Sequence, residues 1–327
     1  MTIQYGKNIA VAMLAGAAFC TSALLLGADD PEQFSPWSTA VNAGSPPNSS
    51  ATEQGVSISK DGLSLYFISD RPGGYGGLDI YVSHRLSVND AWGEAMNLGP
   101  RINTPYNEFS PRPSIDGHRL YFTSDRPDIG FGGQDNFVSR RYNKRDDLGW
   151  QEPENLGSNV NSAANDAGPE IFEDEITGIT TLYFSSNRPG PCPPIGDCGD
   201  DIYASILQPD ETFGPATRVT ELSTPFADRQ PAIRRDGLEM FIASTRPGGS
   251  GGVDLWSSTR ATTSDPWSAP VNLGSAVNTS STDARPALSF DGTTLYFQSN
   301  RPGGLGALDL YVTKRTNLQG TAKKDEQ

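Results

Sequence analysis

The chain of 327 residues carries 25 Lys and Arg against 39 Asp and Glu, a formal net charge of −14. So acidic a surface repels phosphate backbones and anionic membranes, which sets nucleic acid aside as a partner. The 35 Gly and 25 Pro recur at fixed places between apolar runs, so they mark turns rather than disorder.

The first element in chain order is a leader. Lys7 precedes an apolar run over residues 9–26 that ends in Ala28-Asp29-Asp30. This is the pattern of a secretory signal peptide over residues 1–28. Cys20 raises the alternative of a lipoprotein signal, although Phe19 stands where a small residue is wanted. An uncleaved anchor is the third option, because the run is nearly long enough to span a bilayer. In each case the protein is expected to be periplasmic or secreted, with membrane contact only through this segment.

After the leader comes "SPWSTAVNAGSPPN" from Ser35, and then one line recurs five times. It reads "KDGLSLYFISDRPGGYGGLDIYVSHR" from Lys60, with further copies from Ile115, Glu173, Arg235 and Phe290. Its anchoring aspartates are Asp61, Asp116, Asp174, Asp236 and Asp291, spaced 55, 58, 62 and 55 residues apart. Periods of this length mean an array of supersecondary units. Each unit reads as four strands: one before the anchor (A), a DG turn, an aromatic strand (B), a Gly-rich turn, and a third strand (C). The fourth (D) begins at Trp92, Trp150, Phe213 or Trp267.

The last unit lacks a fourth strand, because only a polar tail over residues 316–327 follows it. The Trp37 segment supplies the missing piece. The expected fold is therefore an all-β, five-bladed β-propeller over residues 29–315, with four antiparallel strands per blade and the N-terminal strand closing the last one. No stretch keeps the 3.6-residue period of a helical solenoid. The repeat "SxDGxxLYFxSDRPGGxGGxDIY" resembles the TolB-type, WD40-like propellers of the bacterial envelope across nearly all of residues 35–315. That resemblance implies a channel surface that binds a partner.

Eight residues before each anchor stands an acid: Glu53, Glu108, Asp166, Asp228 and Asp283. Strand A lines the channel of a propeller, so these form a candidate ring of carboxylates at one mouth. Three roles remain open for the ring: pairing with arginine, binding a cation, sugar or basic peptide, or catalysis. The leading expectation is a monomeric, non-catalytic module that binds an envelope protein or a glycan. The alternative is a glycoside hydrolase using mouth carboxylates. No cofactor is implied, although calcium is possible in a third reading of the protein as a calcium-stabilised scaffold, and the metal question stays open.

Arg71, Arg126, Arg188, Arg246 and Arg301 each precede a proline, and Asp79, Asp135, Asp201, Asp254 and Asp309 open strand C. The two sets are expected to pair across the B–C hairpin. Cys192 and Cys198, in one Pro/Gly loop of an exported protein, are expected to form a disulfide. With only His84 and His118, neither a three-His zinc site nor a compelling Ser-His-Asp set emerges.

Overall fold

A computed structural model describes residues 33–189 and 199–318. The segment expected to be a signal peptide, Cys192, Cys198 and the end of the tail lie outside the described residues, as do the expectations attached to them.

Twenty strands form five four-stranded antiparallel sheets, with no helix among the described residues. After β1 (Val41–Asn42), blade 1 consists of β2 (Glu53–Ile58), β3 (Ser64–Ser69), β4 (Asp79–His84) and β5 (Met96–Asn97). Blade 2 is β6 (Glu108–Pro113), β7 (Arg119–Ser124), β8 (Asp135–Arg140) and β9 (Glu154–Asn155). Blade 3 is β10 (Asp166–Glu173), β11 (Thr180–Ser186), β12 (Asp201–Ile206) and β13 (Thr217–Arg218). Blade 4 is β14 (Asp228–Ile233), β15 (Glu239–Ser244), β16 (Asp254–Thr259) and β17 (Val271–Asn272). Blade 5 has β18 (Asp283–Leu288), β19 (Thr294–Ser299) and β20 (Asp309–Lys314), and β1 pairs onto β20 as its outer strand. The five-bladed fold and its N-terminal closure are as the repeat predicts.

The B strands read as aromatic runs because both of their faces are buried. Phe67, Phe122, Phe184, Phe241 and Phe297 are all fully enclosed. The Trp or Phe that precedes each D strand packs between blades. Trp92 meets Tyr296 of blade 5, Phe213 meets Tyr121 of blade 2, and Trp37 meets Phe241 of blade 4, each edge to face. An arginine lies over each tryptophan at blades 1, 2, 4 and 5, such as Arg85 at 4.2 Å from the Trp92 ring.

Every A strand carries a β-bulge two to four residues after its acid. The bulged residue has positive φ in all five blades: Gly55, Ser110, Gly168, Gln230 and Arg285. Glycine takes this conformation without strain, but the other three hold it at a cost of order 1–3 kcal/mol each. The bulge turns these residues toward the axis, and the sequence pattern did not announce it.

The DG turns close the A–B hairpins through their aspartates. Asp291 accepts from Ser289 Oγ at 2.5 Å and from the Thr293 N–H at 3.1 Å. Burial tends to raise its pKa, but these donors prevail and hold it below the usual 3.8. A carboxylate depressed in the folded state stabilises above the unfolded pKa, and that contribution is lost as pH falls through the folded value. Asp291→Asn is therefore expected to lower Tm by roughly 2–4 °C near neutral pH, about 1 kcal/mol for a domain of this size. In thermal melts the gap between the two proteins should close in acid, below the ordinary value of 3.8; a gap that persisted there would contradict the assignment.

Candidate functional site

The ring of five acids comes first, because the sequence singled it out. All five carboxylates are fully buried. Each meets the arginine that follows its own B strand: Arg71–Glu53 at 3.0 Å, Arg126–Glu108 at 3.1 Å, Arg188–Asp166 at 2.5 Å, Arg246–Asp228 at 2.5 Å and Arg301–Asp283 at 2.6 Å. The remaining lone pairs are used as well. Glu108 accepts from the Thr104 N–H and Oγ1 at 2.9 and 2.6 Å and from Ser124 Oγ at 3.1 Å. Burial, outweighing these donors, pushes its pKa up.

The same guanidinium groups reach a carbonyl in the loop arriving from the preceding blade. Arg126 donates to Ile102 O, Arg246 to Leu222 O, Arg301 to Val277 O and Arg71 to Pro47 O. Each acid–arginine pair is thus a staple between neighbouring blades, not an open mouth. This corrects the expected Arg–Asp pairing across the B–C hairpin. The strand-C acids face the Gly-rich turn instead. Asp79 accepts from the N–H groups of Tyr75 and Gly76 and from Asn97 Nδ2. Among the described residues, Asp201 alone of the five meets an arginine, and that is Arg218 on the D strand. Among the described residues no three His, Cys, Asp or Glu side chains gather as a metal site would require.

The channel itself is plugged at mid-height. Arg285 reaches across it and donates to Ser110 Oγ at 2.6 Å. Burial and the neighbouring Arg229 lower the Arg285 pKa to about 10, which leaves it charged at neutral pH. A step further along the A strands, Arg112 Nε meets Glu170 Oε2 at 2.5 Å, and Glu170 Oε1 accepts from the Ile233 N–H. Burial raises the Glu170 pKa, and Arg112 opposes it. The positions equivalent to Glu170 are Ser57, Arg112, Ala232 and Ala287, so here the fivefold repeat is broken.

The break is complete at the face where the A–B turns gather. One residue before each anchoring aspartate stand Lys60, Ile115, Glu173, Arg235 and Phe290, five different side chains around one pocket of about 80 Å³. Phe290 has the Lys60 ammonium at 4.7 Å and the Arg235 guanidinium at 5.0 Å from its ring centre. Glu173 is half-buried. Burial raises its pKa, the nearby Asp116 charge adds to this, and Arg119 and Lys60 act against it. Asp116 is exposed and held low: burial opposes, but donors from Ser114 Oγ at 2.5 Å and the His118 N–H at 2.9 Å prevail. The mouth shares Lys60, Pro113, Ser114, Ile115 and Phe290 with a groove of about 750 Å³ between blades 1 and 2. That volume lies within the range of ligand pockets, roughly 300–1,000 Å³.

No protein-family model and no curated protein matches the chain. Solved structures do. A GH43_1 enzyme from Xanthomonas citri complexed with xylotriose superposes with a TM-score of 0.56 at 12% identity, over 84% of this chain and 89% of that one. An α-L-arabinofuranosidase from Lactobacillus brevis gives 0.55 at 14% identity, over 81% and 90%. The catalytic domain of a GH62 α-L-arabinofuranosidase from Coprinopsis cinerea gives 0.52 at 13% identity, over 86% and 97%. At such identities the likeness establishes the shared fold. It corrects the resemblance to TolB-type propellers, since these five-bladed neighbours are glycoside hydrolases. The same finding corrects the leading expectation of a non-catalytic envelope module, which rested on repeat symmetry without an asymmetric catalytic set.

Proposed function

We propose that the protein is a glycoside hydrolase working at the A–B mouth, with Glu173 as general acid. The carrying observation is that the repeat is broken at this one mouth, where the half-buried carboxyl of Glu173 stands with Lys60, Arg235 and Phe290 around a single pocket, and burial raises its pKa. A carboxyl whose pKa is raised by burial keeps the proton that a general acid must deliver. Fully buried and ion-paired, the five-acid ring is unsuited to this work. The fold shared with an arabinofuranosidase and a xylosidase supports the same reading.

In this mechanism Glu173 protonates the departing glycosidic oxygen. Phe290 offers an apolar platform for a sugar face, and Lys60 and Arg235 offer donors to its hydroxyls. The Arg112–Glu170 pair forms the floor beneath them.

A panel of aryl α-L-arabinofuranosides and β-D-xylosides is expected to show turnover. Glu173→Gln should lower kcat by about 10²–10⁴-fold, the usual contribution of a positioned acid. The rate should fall as pH rises through the raised Glu173 pKa, which removes its proton. Absence of turnover across the panel, or full activity in Glu173→Gln, would overturn the reading.

A further inference from the structure

The groove between blades 1 and 2 holds a second constellation that the mouth does not use. Ser64 opens β3 and His84 ends β4, and the two are direct cross-strand partners. Ser64 Oγ lies 3.0 Å from His84 Nδ1. His84 Nε2 lies 2.7 Å from Asp147 Oδ2, in the loop of blade 2 that joins β8 to β9. Asp147 is itself fixed, its Oδ1 accepting from Arg141 Nη1 at 2.9 Å. Arg141 is locked in turn over the Trp150 ring at 4.2 Å and by donation to the Gly117 carbonyl.

The order is serine, imidazole, carboxylate, and all three line the same groove. The aspartate is almost buried, while the histidine is half-exposed. Such a series, nucleophile to base to orienting acid, is recognised by geometry and not by chain order. It is also unique to one blade. The corresponding cross-strand pairs are Arg119–Arg140 in blade 2, Glu239–Thr259 in blade 4 and Thr294–Lys314 in blade 5. Scaffold residues recur in every blade here, so a pair found once is not required by the architecture.

We infer that Ser64, His84 and Asp147 form a nucleophilic triad that hydrolyses a small carboxylic ester in this groove. Ser64 Oγ attacks the ester carbonyl carbon as its proton passes to His84 Nδ1. The tetrahedral intermediate collapses, the C–O bond to the alcohol breaks, and the leaving oxygen takes that proton from His84. Water then attacks the acyl-Ser64 carbonyl, giving up a proton to His84. The carboxylic acid departs and Ser64 recovers its hydrogen. One ester and one water thus give one acid and one alcohol.

Asp147 holds Nε2–H, which leaves Nδ1 free to accept from serine, and it stabilises the imidazolium formed in each half. The hydrogen bond that His84 donates to Asp147, against the opposing effect of burial, already raises the His84 pKa in the resting protein. Tyr66 lies two residues along β3, on the face that Ser64 shares. Its hydroxyl accepts from Arg141 Nη2 at 3.2 Å. Lys144 and Arg145 line the same groove and make it locally cationic.

The test uses the full chain, a fluorophosphonate probe and p-nitrophenyl acetate. Mass spectrometry is expected to find one phosphonyl adduct, on Ser64, and the ester is expected to turn over. Ser64→Ala should abolish both. His84→Gln and Asp147→Asn should slow labelling by about 10²-fold or more, as expected for loss of a general base or of its orienting group. His84 is half-exposed but Asp147 is nearly buried, so melting temperatures accompany each variant to confirm that it is folded. An adduct elsewhere, no adduct, or undiminished labelling in folded His84→Gln would overturn the triad. None of these readouts involves a glycoside, so they stand or fall apart from the activity proposed for the mouth.

Discussion

A chain that begins at Ser49 is expected to lose the cooperative unfolding transition of the intact protein. Residues 33–48 close the ring. β1 pairs Val41 with Val312 and Asn42 with Tyr311. Asn48 extends this pairing with its side chain, donating to Leu310 O at 2.9 Å and accepting from Leu310 N at 2.8 Å. Further out, Ser38 N–H donates to Lys314 O and Ser35 N–H to Thr316 O. Arg315 stacks over Phe34 at 3.8 Å and Trp37 at 4.4 Å. Pro47 O receives the Arg71 guanidinium and so ties blade 5 to blade 1.

At about 1 kcal/mol for each net hydrogen bond, these backbone and amide contacts alone approach the 5–15 kcal/mol that holds a typical domain. Truncation also bares β20 as an edge strand, which promotes association. Circular-dichroism melts should show a broad transition well below that of the intact protein, with visible aggregation. Adding a peptide of residues 33–48 should restore cooperativity. A truncated protein that melted sharply at the intact temperature would refute the closure.

The second large effect is expected at the buried staples. Glu108→Ala leaves the Arg126 guanidinium, 6% exposed, with no counter-charge and Thr104 with no acceptor. Breaking a buried pair from one side costs about 3–5 kcal/mol. For a chain of this size that is a fall in Tm of roughly 6–15 °C. Glu108→Gln keeps an acceptor for Thr104 and should cost less, and removing both partners, in Glu108→Ala with Arg126→Met, should recover part of the loss. Thermal and urea melts of the three variants give that order. A Glu108→Ala protein as stable as the parent would restore the carboxylate ring as an open binding site.

Much of the architecture was legible in the chain because repetition carries it. The aspartate spacing counts the blades, the Trp37 segment closes them, and the aromatic B strands betray sheets buried on both faces. The residues between blades were also readable, since Trp92 and its equivalents recur at one position. The partners of the repeated charges were not. Arg71 stands eight residues before Asp79 and eighteen after Glu53, and the nearer acid is the natural choice from a linear sequence. In the fold, the B–C turn places Asp79 under its own backbone N–H groups, while strand pairing brings Ser69 and Arg71 beside Glu53. The bulges were equally silent, because Ser110, Gln230 and Arg285 are not residues that advertise positive φ.

The candidate sites divide along the same line. Symmetry in the sequence pointed to Glu53, Glu108, Asp166, Asp228 and Asp283, and symmetry proved to mean scaffold. The pocket and groove are built from positions that differ from blade to blade: Lys60, Glu173, Arg235 and Phe290 around the mouth, and Ser64 with His84 in blade 1. No motif search unites Ser64 with Asp147, 83 positions apart on different blades. By itself, then, the sequence determined five blades of four strands and their closure by the N-terminus, since periodic apolar patterning and turn chemistry are local and repeat with the chain. Which charges neutralise one another, and which face gathers unlike side chains around one opening, was decided only by tertiary structure. Those pairings depend on distances between strands and blades that are far apart in sequence.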